Sequence, residues 1–169
     1  MSLIKEINGI APVIPEDCFV AENATIIGNV SFGIQCSVWY NAVIRGDVNA
    51  ITIGNKVNIQ DGAVIHCTYL KHATIIGNNV SIGHNAIVHG CIIEDNVLIG
   101  MGAIVMDNCV VKSNVIIGAG SVVTQNSVLE SNAIYAGIPA RKVKDLDASD
   151  FKGEIERIAN NYIMYSSWQ

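Results

Sequence analysis

Residues 93–123, IEDNVLIGMGAIVMDNCVVKSNVIIGAGSVV, set Ile93, Ile99, Val105, Val111, Ile117 and Val123 six residues apart. The fifth position of each unit is small or β-branched: Val97, Ala103, Cys109, Val115 and Ser121. Between them lie Asp95-Asn96 and Gly118-Ala119-Gly120, residue types that accept unusual backbone angles at little cost. A helix wants apolar residues at three- and four-residue spacing, and a half-buried strand wants alternation, so a period of six is neither. A unit that buries its first residue, tucks in a small fifth one and turns between them forms one flat face of a coil. Three faces make a triangular turn of about eighteen residues, and stacked turns enclose their aliphatic ladders as a parallel β-helix.

The ladder also extends toward the N-terminus. Val20, Ile26, Phe32, Val38 and Ile44 lie six apart, and Ala24, Val30, Cys36, Ala42 and Val48 follow them four places later. The phase then slips, resumes as Ile53, Ile59 and Ile65, slips again to Ile76, Ile82 and Val88, and runs unbroken from Ile93 to Leu129 and Tyr135. The solenoid is expected over residues 1–142. Past Pro139 the character changes: Phe151, Ile155, Ile158, Tyr162 and Tyr165 recur at four- and three-residue spacing, the pattern of an amphipathic α-helix, with Asp147 or Ser149 as its N-cap. Residues 143–169 are expected to pack on the solenoid and cover backbone that would otherwise invite aggregation.

With 169 residues, half of them hydrophobic and 15% charged, the chain can bury one continuous core. A net charge of -5 and the lack of any basic block argue against a nucleic-acid partner. No stretch approaches the ~18 apolar residues of a membrane span, so no membrane partner is expected, and the expected compartment is the cytoplasm. Five cysteines without CxxC spacing read as reduced thiols, Cys36 and Cys109 at small interior positions and Cys18, Cys67 and Cys91 scattered. Cys67 adjoins His66, where a thiolate could bind metal, but a buried packing residue is the favoured reading.

Three of the four histidines, His66, His84 and His89, fall within 24 residues and at positions that point away from the aliphatic ladder. His66 and His84 are eighteen apart, which places them within one rung of each other. Three neutral imidazoles suit a zinc-type ion and leave a coordination position open, as catalytic sites do. Affinity order alone does not choose among zinc, cobalt and ferrous iron. His72, in the loop from Tyr69, reads as a solvated residue, with a proton-shuttle role as the lesser alternative.

The six-residue units resemble those of the hexapeptide-repeat proteins over roughly residues 12–142, and a left-handed sense of the β-helix follows from that resemblance alone. Within that group, IRGDVN (44–49), NIQD (58–61), Ile65-His66 and GHNAIVHG (83–90) resemble the ordered segments of the γ-class carbonic anhydrases. The resemblance implies a homotrimer in which His66 and His89 of one subunit and His84 of the next hold each metal. It implies that Gln60 lies beside the reactive water with Asn58 orienting it, and that Arg45, Asp47 and Asp61 form a network across the interface. It also matches Asn161 and Tyr165 to an Asn and a Tyr on the C-terminal helix, the Tyr approaching the site.

Two departures from the family pattern affect proton transfer: Val48 stands where a Glu follows the Arg-Gly-Asp, and the loop after His66 is short and basic. The expected activity is reversible, metal-dependent hydration of CO2 to bicarbonate. Two other readings stay open: a hexapeptide acyltransferase or acyl-CoA thioester hydrolase using one His as general base, and a non-enzymatic trimeric assembly module.

Overall fold

A computed structural model describes residues 1–169. The chain winds as a parallel β-solenoid of about seven turns, the left-handed β-helix of the hexapeptide-repeat proteins, closed along one side by a C-terminal helix. Where the repeat is regular, residues eighteen apart pair in register: Val97 with Val115, and Val115 with Ala133.

One face stacks Phe19–Val20, Ser37–Val38, Asn58–Ile59, Ser81–Ile82, Val97–Ile99, Val115–Ile117 and Ala133–Ala136, with Arg141–Asp145 added antiparallel at its end. The other two faces are continuous, because the long strands Thr25–Phe32 and Val43–Ile53 bend around the corner between them. Val64–His66, Ile87–His89, Ile104–Val105 and Val122–Val123 stack on the second face, and Thr74–Ile76, Ile92–Ile93, Val110–Val111 and Val128–Leu129 on the third. At that bend Gly28 and Gly46 are required: a Cβ on either would run into the backbone of the neighbouring rung. Gly46 of the Arg-Gly-Asp string therefore has a structural reason of its own.

Ile26, Ile44, Ile65, Val88 and Val105 are wholly buried and form one interior column, with Val123 above them at 1% exposure. Each such side chain is worth about 1.5–3 kcal/mol on leaving water. Asparagines turn the corners: Asn79, Asn96, Asn114 and Asn132 all have φ between 55° and 59°. Their side-chain amides bond one to the next up that corner.

The breaks in the period share one corner. Between the second and third faces, successive rungs run from Ile26 to Phe32, Ile44 to Ile53, Ile65 to Ile76, Val88 to Ile93 and Val105 to Val111, spacings of 6, 9, 11, 5 and 6 residues. The other two corners keep six residues throughout, as in Ile59 to Ile65 and Ile53 to Ile59. His66 and His89 stand at the entrance to the irregular corner.

The helical segment begins at Asp147, whose carboxylate accepts from the Ser149 and Asp150 amides while Asp150 reaches back, a reciprocal cap. Ala148–Asp150 is followed by a π-helical stretch, Phe151–Glu156, and then by the α-helix Arg157–Ser166. Ile155 and Ala159 are buried against the first face, while Phe151, Ile158, Tyr162 and Tyr165 are half-buried. Tyr162 packs edge-on against Trp39 at 5.2 Å. No helix is long and apolar enough to cross a membrane.

Candidate metal centre

His66 and His89 are register partners on adjacent strands, so their side chains leave the second face one directly above the other. His66 Nδ1 lies 3.0 Å from His89 Nε2. The outer nitrogens each meet a carboxylate: His66 Nε2 is 3.1 Å from Asp47 Oδ1, and His89 Nδ1 is 2.8 Å from Asp107 Oδ1. An ionised carboxylate can only accept, so the ring nitrogen facing it carries the proton, and each imidazole turns its lone pair toward the other. Two facing imidazole nitrogens at 3.0 Å can share a proton, and they can equally share a metal cation. Two nitrogens at about 2.1 Å from a common zinc-type ion lie roughly 3–3.4 Å apart. The donor set thus fits a divalent metal of the borderline-soft class.

Burial holds the His66 imidazole below its ordinary pKa, with the Asp47 hydrogen bond opposing. The neutral form, which can offer a lone pair, is favoured. Asp47 also accepts from Arg45 Nη1 at 2.9 Å, so Arg45, Asp47, His66, His89 and Asp107 form one continuous polar column up the irregular corner.

His84 stands elsewhere in the chain. It lies in the turn before Ile87–His89, and five residues of extended chain span on the order of 16 Å, so it occupies the opposite edge of the second face. It is therefore not the neighbour of His66 that an eighteen-residue spacing suggests: the insertions at the irregular corner make His89, 23 residues on, the register partner. No group of three His, Cys, Asp or Glu side chains within one chain forms a ligand set. His84 also meets a carboxylate, its Nδ1 2.9 Å from Asp61 Oδ2 as a charge contact, while its Nε2 faces the Tyr162 hydroxyl at 3.4 Å.

A cleft of about 370 Å³ opens beside His84 between the first face and the helix, lined by Gln60, Leu98, Met101, Ile158, Asn161 and Tyr165 among others. Gln60 donates to Asn58 at 2.9 Å, and Asn58 donates to the Ser81 hydroxyl at 2.7 Å, all three side chains buried. The aromatic residue on His84 is Tyr162, not Tyr165, which stacks behind it with ring centroids 5.5 Å apart. Burial pushes the Tyr162 hydroxyl up to about 12, so it stays a neutral donor.

Of the expected residues, Arg45 and Asp47 join the His66–His89 column, while Asn58, Gln60 and Asp61 gather around His84. Within one chain Asp61 is the charge partner of His84, while Arg45 pairs with Asp47. Asp107 and Tyr162 carry contacts to the histidines that sequence reasoning did not assign. Cys67 is buried, its thiol directed at the Asn49 carbonyl at 3.2 Å, and burial raises its pKa, which fits packing and not a thiolate ligand. His72 is half-buried, and its backbone closes the loop against Thr68.

Residues 90–125 match the family model for the bacterial transferase hexapeptide (six repeats). The chain is 47% identical, over 91% of its length and 96% of that protein, to the "Probable carbonic anhydrase" of Methanocaldococcus jannaschii. It is 41% identical to gamma carbonic anhydrase 1, mitochondrial, of Arabidopsis thaliana, over 90% of this chain and 57% of that longer protein. A hexapeptide transferase family protein from Anaplasma phagocytophilum superposes with a TM-score of 0.92 at 36% identity, covering 98% of this chain and 96% of that one. The fold and these relatives define a hexapeptide-repeat protein. Within that class, the chain belongs to the γ-class carbonic anhydrase family.

Proposed function

We propose that the protein is a metal-dependent carbonic anhydrase that interconverts CO2 and bicarbonate at three equivalent sites of a homotrimer. The observation that carries this reading is the common design of the three histidines. His66 and His89 each turn an outer ring nitrogen to a carboxylate, Asp47 or Asp107, within hydrogen-bond distance, and His84 makes a 2.9 Å charge contact with Asp61, so that each keeps one nitrogen to coordinate. His66 and His89 converge in one chain, and His84 faces outward at the opposite edge, so a three-histidine site is completed when the His84 edge of one subunit meets the irregular corner of the next. Cyclic symmetry repeats that junction at each interface.

A divalent ion held there, zinc or alternatively iron or cobalt, would supply the Lewis acidity that brings a water's pKa from ~16 to near 7. The chain's own groups do the rest. Gln60, fixed through Asn58 and Ser81, presents a preset amide that orients the attacking water. Asp61 and Asp47 keep their histidines in one tautomer, and Arg45 offers a guanidinium, half-exposed, to bicarbonate or to a facing subunit. The Tyr162 hydroxyl lies 3.4 Å from His84 Nε2, the nitrogen that would bind the ion; with the ion in place it would be released from that nitrogen and stand as a neutral donor near the reacting atoms, with Tyr165 stacked behind it.

Acyl transfer or thioester hydrolysis is the second reading, favoured by one observation: the cleft beside His84 is far roomier than CO2 needs and is partly apolar, with Leu98, Met101 and Ile158 in its wall. There His84, oriented by Asp61, would act as general base without a metal. Stopped-flow CO2 hydration by metal-loaded and chelator-treated protein, run beside an acetyl-CoA consumption assay, separates the two. Hydration lost on chelation supports the first; acyl transfer by metal-free protein, with no hydration when loaded, replaces it by the second.

A further inference from the structure

We infer that Asp107 is a positioning residue of the metal centre: it fixes His89 in the tautomer that carries its proton on Nδ1 and leaves Nε2 free, and Thr68 and Gly90 hold Asp107 in place. This inference rests on reading His89 as a ligand.

Four features converge on Asp107. Its Oδ1 lies 2.8 Å from His89 Nδ1 and accepts from the Thr68 hydroxyl at 2.9 Å, so the carboxylate is oriented by a group that has no other side-chain partner in the structure. Thr68 in turn is held by the loop it begins, whose backbone exchanges hydrogen bonds between Thr68 and His72. Gly90 lies directly beneath. A Cβ there would collide with the Asp107 carboxylate, and the backbone at Gly90 has φ +51°. The fourth feature is the repeat itself. The rung carrying His89 turns the irregular corner in five residues, from Val88 to Ile93, while the rung above takes the usual six, from Val105 to Val111. The upper turn carries one residue more than the lower, and Asp107 lies within it, in contact with His89 on the rung below. The glycine and the threonine thus both leave the Asp107 carboxylate placed for one contact, with His89.

The chemistry of the contact is the one that ligand histidines need. A carboxylate on the far nitrogen fixes the tautomer and the ring orientation and raises the basicity of the coordinating nitrogen. Asp47 on His66 and Asp61 on His84 belong to segments that resemble the family's motifs; Asp107 belongs to none of them, yet its geometry on His89 is the shortest of the three histidine–carboxylate contacts.

The test is made on the full-length protein in two measurements. Long-range 1H–15N spectra of the metal-free protein read the His89 tautomer, assigned with His89→Gln, and competition with a chromophoric chelator reads zinc affinity. In the wild type, His89 is expected with its proton on Nδ1. Asp107→Ala should shift it toward the Nε2–H form and weaken zinc binding by about 10–100-fold. Thr68→Val, which leaves the carboxylate but removes its orienting bond, should fall between the two, and Asp107→Asn, which keeps an acceptor oxygen, should restore part of the affinity. An Asp107→Ala protein with wild-type tautomer and wild-type zinc affinity would overturn the inference, even if its melting temperature fell, because a purely structural residue moves only the latter. Failure of the metal reading looks different: wild-type protein takes up no zinc, and the tautomer spectrum then decides the role of Asp107 alone.

Discussion

His66 and His89, 23 residues apart in sequence, are exact register partners whose facing nitrogens lie 3.0 Å apart. The pair exists because the corner after His66 takes eleven residues, Ile65 to Ile76, where six would serve, so that the strand carrying His89 still returns above the strand carrying His66. Removing either imidazole should abolish tight zinc binding, since one histidine on that corner cannot hold the ion. His66→Ala and His89→Ala proteins are expected to emerge from gel filtration without stoichiometric metal, while His72→Ala keeps its full complement, as measured by elemental analysis.

Val48 bears on the rate. With no carboxylate after the Arg-Gly-Asp, and with Lys71 but no acidic residue in the loop beyond His66, proton release to solvent should limit turnover, and the rate should climb with the concentration of an imidazole-type buffer. Val48→Glu is expected to raise the maximal CO2 hydration rate by ~10-fold, the low end of what a positioned acid or base contributes, and to leave KM unchanged. Stopped-flow traces at low and high buffer check both parts. No buffer dependence and no gain in Val48→Glu would mean that another group already carries the proton.

The interior column sets stability. Ile65 is wholly buried, and Ile65→Ala should cost about 2–5 kcal/mol by chemical denaturation, because a stacked solenoid leaves its neighbours little room to close the gap. Ile87→Ala, on the outer side of the same face with 37% of the residue exposed, should cost under about 1 kcal/mol.

Burial pushes the Cys36 thiol from its ordinary 9.0 up to about 12. The folded chain therefore keeps it neutral where the unfolded chain ionises it. Its contribution to stability is present below its ordinary value of 9.0 and is lost as pH rises from there toward about 12. Urea midpoints measured across that range should fall, and less steeply in Cys36→Ala. In the folded protein at pH 8, iodoacetamide should leave Cys36 unmodified by mass spectrometry.

The solenoid was legible because one buried residue per flat face writes the coil directly into a period of six, from Val20 to Tyr135. The slips in that period were equally visible after Val48, Ile65 and Val88, but their meaning lay in three dimensions: only when the ladder is divided among three corners do all of them fall on one, beside His66 and His89. The same division identifies Asp107, eighteen residues past His89 and so one rung above it, though no motif contains it. Tyr162 and Tyr165 could not be told apart in the apolar stripe. With Ile155 and Ala159 buried against the first face, it is Tyr162 that meets His84, while Tyr165 stacks behind it, and a π-helical turn over Phe151–Glu156 precedes both. The pattern of residues 151–156 carries no signal for the π turn.

The central claim, a metal held jointly by the His66–His89 corner of one subunit and His84 of another, is tested most directly by mixing two inactive variants. His66→Ala and His84→Ala proteins are unfolded together in equal amounts, refolded with zinc, and assayed for bound metal and CO2 hydration. Each alone should hold almost none. In randomly assembled trimers a site is intact only where a His84→Ala subunit supplies the corner and a His66→Ala subunit supplies His84, which is about a quarter of the interfaces. Recovery of about a quarter of wild-type zinc and activity is the expected result; full zinc occupancy in His84→Ala alone, or a mixture no better than its parts, would contradict the shared site.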